Sequence, residues 1–187
     1  MRVLAVQASP RKDGNTATLV KGFLQGLSQS GNHDIREFWL NDMEIKPCQG
    51  CFRCAGGARC VIEDDMQRMY PELEAAELIV FGVPIYWWHM NAQMKLFTDR
   101  MTALLSEGDK LPALAAKPLV VMVAYNYRDC ARAVLQMFEE WRGWIGIALE
   151  VIEHCAKEGP VSACSAKMEE AFRLGQRMAS STRLSMP

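Results

Sequence analysis

The chain has 187 residues, half of them hydrophobic, and a formal net charge of −1. This length and composition predict one globular domain over residues 1–180, followed by a short tail over 181–187. The low charge argues against nucleic acid or an anionic membrane as partners, and no segment has the form of a bilayer span or a secretory leader, so we expect a cytoplasmic protein. In that compartment the seven cysteines indicate metal binding, redox chemistry or burial rather than a disulfide framework.

Short apolar runs alternate along the chain with segments of helical periodicity. The predicted strands are 2–8, 33–40, 77–83, 117–124 and 147–154, and the predicted helices are 15–31, 65–76, 92–105, 130–146 and 166–178. This alternation predicts an α/β domain with a five-stranded parallel sheet, covered on both faces, in the order 2-1-3-4-5. Strands 1 and 3 are then neighbours, and a ligand is expected beyond their carboxyl ends.

The loop after the first strand, "ASPRKDGNTAT" at 8–18, carries groups suited to an anion. Ser9, Asn15 and Thr16 offer hydrogen bonds, Arg11 offers positive charge, and Gly14 permits a tight turn. The loop opens directly into a helix, whose free N–H groups and dipole favour a phosphate. The loop matches neither the dinucleotide fingerprint nor the NTPase P-loop. This mismatch favours a monophosphate as the ligand. The alternative is a polar loop with an ordinary helix cap at Asn15 or Thr16.

The loop after the third strand, "GVPIYWWHMNAQMK" at 82–95, is aromatic where an exposed loop is normally polar. We expect Pro84 to end the strand and Tyr86 and Trp87 to line a flat, apolar ring system. The alternative is packing beneath the third helix, which we expect for one of the two tryptophans, Trp87 or Trp88. A phosphate site beside an aromatic slot is the combination that FMN requires.

Four cysteines follow the second strand in the segment 46–66, with the spacing C-x2-C-x2-C-x5-C. Ferredoxin-type clusters begin with the same three-thiol run, and Gly56 and Gly57 allow the chain to bring back a fourth ligand. A [4Fe–4S] cluster is therefore one prediction, while zinc and free thiols remain open. The candidate ligands are Cys48, Cys51, Cys54 and Cys60. The other three cysteines, Cys130, Cys155 and Cys164, are expected to be buried as small hydrophobic side chains.

Three segments carry a family resemblance. "ASPRKDGNT" resembles the S-x-R-x-x-G-N-T phosphate loop of the NADPH-dependent FMN reductases, and "PIYWWHMNAQMKLFTDR" resembles their P-x-Y-x5-A-x2-K-x3-D-R segment. "PCQGCFRCAGGARCVIEDDM" resembles the cysteine segment of the iron–sulfur flavoproteins, a branch of the same group. The resemblance covers roughly residues 1–180. It implies a flavodoxin-like three-layer sandwich, bound FMN and a homodimer or homotetramer.

The resemblance also implies a set of cofactor contacts. The phosphate would be held by Ser9, Arg11, Asn15, Thr16 and Ala17, and the isoalloxazine ring by Pro84, Ile85, Tyr86 and Trp87, with Ala124, Tyr125 and Asn126 on its other side. The predicted function is an FMN-dependent oxidoreductase that passes electrons from NAD(P)H to a quinone, a flavin or another small acceptor. One alternative is an electron carrier with FMN and a [4Fe–4S] cluster that serves a ferredoxin-like partner. Another is a non-enzymatic redox sensor that uses the cysteines as thiols or as a zinc site.

Overall fold

A computed structural model describes residues 1–106, 108 and 110–181 of the chain. The strands are β1 Arg2–Gln7, β2 Asp34–Trp39, β3 Leu78–Tyr86, β4 His89–Met90, β5 Pro118–Tyr125 and β6 Ala148–Cys155. The helices are α1 Asn15–Gln29, α2 Met66–Ala75, α3 Ala92–Arg100, α4 Arg132–Ile145 and α5 Ser165–Ser181. Helix α5 includes Ser181, the first residue of the predicted tail, and the rest of that tail lies outside the described residues. None of the described helices is long and apolar enough to cross a bilayer.

Five parallel strands form the sheet in the order β2-β1-β3-β5-β6, which is the predicted order with β4 as an addition. Side chains alternate between the two faces, so Leu4 and Val6 pack on the side of α2, α3 and α4, while Val3 and Ala5 pack on the side of α1 and α5. The predicted flavodoxin-like three-layer sandwich is confirmed. In register, Gln7 lies beside Gly82 and Pro84 beside Ala124, which brings the carboxyl ends of β1, β3 and β5 to one edge.

The third strand is longer than predicted, because Pro84 does not end it. Gly82 accepts a hydrogen bond from Ala8 N–H at 2.9 Å, on the side of β3 that faces β1. Residues two apart face the same side, so the nitrogen of Pro84 points past the end of β1, where no ladder bond is lost. The strand therefore continues to Tyr86 and turns into β4, an antiparallel strand that the sequence did not predict.

Helices α1 and α5 pack closely against each other through glycine. A Cβ at Gly26 would lie 1.9 Å from the carbonyl oxygen of Phe172, and one at Gly175 would lie 2.1 Å from that of Phe23. No larger residue fits either position without moving a helix. Helix α1 ends at Gln29 with Ser30 as its C-cap in the right-handed region, two residues before the predicted end at Gly31.

Candidate functional site

The loop between β1 and α1 is a tight turn closed by its own polar groups. Ser9 is buried, and its hydroxyl accepts a hydrogen bond from Arg11 N–H at 3.1 Å. Gly14 N–H donates to the Arg11 carbonyl at 3.2 Å, and a Cβ at Gly14 would lie 3.3 Å from Ser9 Oγ. A side chain at position 14 would therefore crowd the turn and push its neighbours aside by a few tenths of an ångström. The turn leaves the Arg11 side chain exposed at its tip.

The amino end of α1 faces this turn with unused donors. The first backbone bond of the helix runs from Thr18 N–H to Gly14 C=O at 2.9 Å, so the N–H groups of Asn15, Thr16 and Ala17 precede it. Gly14 occupies the N-cap position and no side chain caps the helix, so the alternative of an ordinary cap at Asn15 or Thr16 is wrong. The Asn15 side-chain oxygen instead accepts from Val161 N–H at 3.0 Å, so the donors that Asn15 can offer an anion are its backbone N–H and its side-chain NH₂ group.

The loop after β3 is a two-residue hairpin turn made of Trp87 and Trp88. The flanking pairs are Ile85 with Met90 and Tyr86 with His89, and both tryptophans have positive φ, 51° and 63°. Turns of this kind normally take Asn-Gly, because most side chains are strained in the left-handed region. The expectation that one tryptophan packs in the core is wrong, since their exposed fractions are 90% and 57%. The turn holds both indoles at the protein surface.

The loop after β5 meets this hairpin through aromatic rings. Tyr127 lies parallel to Trp88, with ring centroids 6.4 Å apart and an interplanar angle of 6°, and Lys157 Nζ lies 4.4 Å from the Tyr127 centroid. Neither Tyr127 nor Lys157 was predicted as a site residue, although Tyr127 lies two residues after the predicted ring contact Tyr125. The loops after β3 and β5 are thus in contact, as the predicted ring site requires.

The predicted residues on this second loop differ in their surroundings. Ala124 is buried beside Pro84, and Asn126 is exposed. The Tyr125 hydroxyl donates to Glu153 Oε2 at 3.0 Å. Burial, followed by the bond to Glu153 and its charge, raises the pKa of Tyr125 to about 12. Tyr125 therefore keeps its proton at neutral pH, and its hydroxyl is committed to the neighbouring strand.

Asn91 links the start of α3 to the loop after β1, and it was not predicted as a site residue. Its side chain is buried, donates to the carbonyl of Ala8 at 2.6 Å, and accepts from Met94 N–H at 3.4 Å as the N-cap of α3. An asparagine directly before a predicted helix was the available signal. Through this residue α3 is fixed to the end of β1, next to the phosphate loop.

These groups fit FMN in kind and in place. The amino end of α1, buried Ser9 and exposed Arg11 offer donors and charge for a monophosphate. The aromatic hairpin and the loop after β5 offer flat apolar surface at the same edge of the sheet, where the winding of the strands reverses. The site residues predicted for the phosphate and for the ring therefore lie on adjoining loops.

The cysteine segment forms an irregular, partly exposed loop beside this edge. Cys48 and Cys51 are exposed, Cys54 and Cys60 are half-buried, and all four are free thiols. The backbone coils through left-handed conformations at Gly50, Phe52, Gly56 and Gly57. Among the described residues, no three cysteine, histidine or acidic side chains are grouped to hold one metal ion. The donor set fits an iron–sulfur cluster in its chemistry, four thiols on one coiled loop, and does not form a ready site for a single ion such as zinc.

The pKa values of the two half-buried thiols of this segment, Cys54 and Cys60, are shifted in opposite directions. Burial raises the pKa of Cys54, and the neighbouring cysteines add to that effect. Burial opposes ionisation of Cys60 too, but hydrogen bonds from Ile62 N–H and the Tyr70 hydroxyl, with the charge of Arg100, outweigh it and lower its pKa. Cys60 is therefore the thiol of the pair that ionises first.

Of the remaining cysteines, Cys130 is buried, as expected. Cys155 and Cys164 are partly exposed, which corrects the prediction for those two. The Cys155 thiol lies 3.8 Å from the carbonyl oxygen of Asn126, on the loop after β5.

The model of one protein family, NADPH-dependent FMN reductase, matches residues 1–150. The chain belongs to this family. The match confirms the predicted resemblance, and with it FMN as the cofactor. The individual cofactor contacts and the cluster remain predictions.

Several curated relatives add detail. The chain is 34% identical over 104 residues to an iron–sulfur flavoprotein of Methanocaldococcus jannaschii, covering 56% of this chain and 53% of that one. It is 32% identical over 101 residues to an iron–sulfur flavoprotein of Archaeoglobus fulgidus, covering 54% and 46%. It therefore spans about half the length of the curated relatives it matches.

Solved structures agree on the fold alone. An FMN-dependent NADH-azoreductase from Bacillus anthracis, in complex with FMN, superimposes with a TM-score of 0.75 at 14% identity, covering 96% of this chain and all of that one. An NAD(P)H:quinone oxidoreductase from Methanothermobacter marburgensis gives a TM-score of 0.71 at 16% identity, covering 95% and 96%.

Proposed function

We propose that the protein is an FMN-dependent oxidoreductase that accepts electrons from NAD(P)H and passes them to a small acceptor such as a quinone or a free flavin. The observation that carries this proposal is the placement of the uncapped amino end of α1 and an exposed aromatic hairpin at one edge of the sheet. FMN would supply the hydride chemistry, so the protein has to bind, orient and expose its ring rather than provide an acid or a base.

Each loop has a separate role in this proposal. Arg11 and the first N–H groups of α1 would neutralise the phosphate, since charge-assisted hydrogen bonds are the strongest that a protein offers to an anion. Pro84, Ile85, Tyr86 and Trp87 would support one side of the ring, and Ala124 to Asn126 the other. The hairpin lies at the protein surface, with Trp88 57% exposed, so the donor and the acceptor would reach the ring from solvent in turn. Stacking on the ring would hold the nicotinamide, which accounts for the lack of a dinucleotide fingerprint in the sequence.

Anaerobic mixing of the FMN-loaded protein with NADH or NADPH tests this proposal. We expect loss of the oxidised flavin absorption band at a rate that saturates with the donor, and its return when a quinone or a free flavin is added. Flavin that stays oxidised in the presence of both donors would contradict the proposed reaction.

A second candidate function is that of an electron carrier with FMN and a [4Fe–4S] cluster, serving a ferredoxin-like partner. Four free thiols on one coiled loop favour it, as does the similarity to proteins named iron–sulfur flavoproteins. The ligands would be Cys48, Cys51, Cys54 and Cys60, and the cluster would supply one-electron steps.

Protein purified without oxygen should then contain iron and sulfide in equal amounts. Cys51→Ser should lose both and keep FMN, while Cys164→Ser, a partly exposed cysteine outside the segment, should lose neither. Equal iron in the two variants would contradict the ligand assignment. The homodimer or homotetramer that we also propose is measurable by sedimentation of the same samples.

A further inference from the structure

Arg100 is a buried cation at the end of α3, and its guanidinium faces the cysteine segment. Its side chain is 1% exposed and is paired with Asp64, also 1% exposed, through both terminal nitrogens. One of these nitrogens donates to the carbonyl of Lys46 at 2.9 Å. The other lies 3.4 Å from the carbonyl of Ile62 and 3.4 Å from Cys60 Sγ. One planar group thus contacts the chain just before the first cysteine of the segment and again at and just after the last.

Asp64 reinforces the same junction from the other side. Its carboxylate accepts from Lys46 N–H at 2.8 Å and from Met66 N–H at 3.0 Å, in addition to Arg100. A buried charge is costly unless it is paired and hydrogen-bonded, so Arg100 and Asp64 each need the other in place. The pair therefore closes the base of a loop that runs from Lys46 to Asp64.

This closure fixes one of the four thiols directly, that of Cys60. Cys60 is held through its sulfur by Arg100 and through its carbonyl by Gln67, which donates at 2.9 Å. Cys48 and Cys51 are exposed on the far part of the loop. Helix α3, which ends at Arg100, spans about 14 Å at 1.5 Å per residue and is tied at its start by Asn91 to the phosphate loop.

We propose that Arg100 is the positioning residue for the redox function of the cysteine segment. It fixes Cys60 as the anchored ligand, holds the segment at a set separation from the flavin loops through α3, and stabilises negative charge on the cluster through its N–H bond to the Cys60 sulfur. Hydrogen bonds to ligand sulfur raise a cluster's reduction potential, because the reduced cluster carries more negative charge. The cluster part of this inference rests on the proposed carrier function, and the closure of the loop does not.

Arg100→Lys tests the proposal, because lysine keeps the charge but has no planar fork to reach Asp64 and Cys60 together. In cluster-free, FMN-loaded protein, we expect the amides of Lys46 and Met66 to exchange hydrogen about tenfold faster or more, as one charge-assisted bond is lost. In reconstituted protein we expect a lower cluster potential with FMN affinity unchanged. Arg2→Lys is the matched control. Arg2 also pairs with a carboxylate, that of Glu72 at an N–O distance of 2.8 Å, but this pair lies outside the cysteine segment.

The two measurements separate the possible failures. Wild-type exchange rates and a wild-type potential in a folded Arg100→Lys protein would overturn the proposal. A role confined to stability would lower the unfolding free energy and leave the potential of the loaded protein unchanged, which would also overturn it. If the wild-type protein takes up no iron, the carrier function fails, and the exchange rates alone decide whether Arg100 closes the loop. Asp64→Asn should reproduce the faster exchange, because it removes the partner charge.

Discussion

Replacing Trp87 with asparagine should leave the stability of the FMN-free protein nearly unchanged, although it removes the largest type of side chain. Trp87 is 90% exposed, so of at most about 250 Å² it buries only about 25 Å², worth about 0.6 kcal/mol at about 25 cal/mol per Å². Its edge-to-face contact with Trp88, with ring centroids 5.8 Å apart, adds about 0.5 kcal/mol to the stability that the substitution removes. Against this loss, asparagine relieves about 1 kcal/mol of left-handed strain, since φ is 51°.

The free energy of unfolding, measured in urea on FMN-free protein, should therefore change by less than about 0.5 kcal/mol, whereas truncation of a buried tryptophan costs about 3–5 kcal/mol. FMN affinity, measured by flavin fluorescence, should fall by about two- to tenfold for the loss of one aromatic contact. Trp144→Asn, at a 56% exposed tryptophan on α4, is the control and should leave FMN affinity unchanged. A loss of stability above about 2 kcal/mol, or wild-type FMN affinity, would refute this account of the hairpin.

Three further predictions follow from the charged and titratable groups. Arg11→Ala should weaken FMN binding by about tenfold or more, for the loss of a charge-assisted contact to the phosphate, and unchanged affinity in a fluorescence titration would remove that contact. Although burial opposes its ionisation, hydrogen bonds from Arg100 and backbone N–H groups keep the pKa of Asp64 low. Its stabilising effect should be present above pH about 4 and disappear as the pH falls through its folded pKa, so the difference in unfolding free energy between wild type and Asp64→Asn should shrink in acid; a constant difference would contradict this. Because burial and the bond to Glu153 raise the pKa of Tyr125 to about 12, its contribution should be lost as the pH rises from about 10 to about 12, and Tyr125→Phe should remove that part of the alkaline decline.

The sheet was predictable because apolar runs and helical periodicity decide it locally. Buried strands such as β3 and β5 are continuous apolar segments, and the helices between them leave few other topologies. The hairpin of Trp87 and Trp88 was not predictable in the same way. Propensity argues against two tryptophans in a type I′ turn, and strain of this kind is concentrated at functional sites.

The contacts around the cysteine segment could not be predicted from the sequence, for a different reason. Arg100 and Asp64 are 36 positions apart in the sequence, and no local pattern predicts that the end of α3 contacts the base of the cysteine loop. The sequence did mark Arg100 as part of the D-R pair of a family segment, without giving it a role. Asp64 accepts from Met66 N–H at the start of α2, but its buried partner is Arg100.

Comparing the affinities of the FMN-free protein for FMN and for riboflavin tests the central claim most directly, because the two ligands differ only in the phosphate. The account predicts that FMN binds at least about tenfold more tightly, through Arg11 and the amino end of α1. It also predicts that both ligands quench tryptophan fluorescence, since Trp87 and Trp88 adjoin the proposed ring site. Equal affinity for the two ligands would contradict the phosphate site, and with it the proposed placement of the flavin at this edge of the sheet.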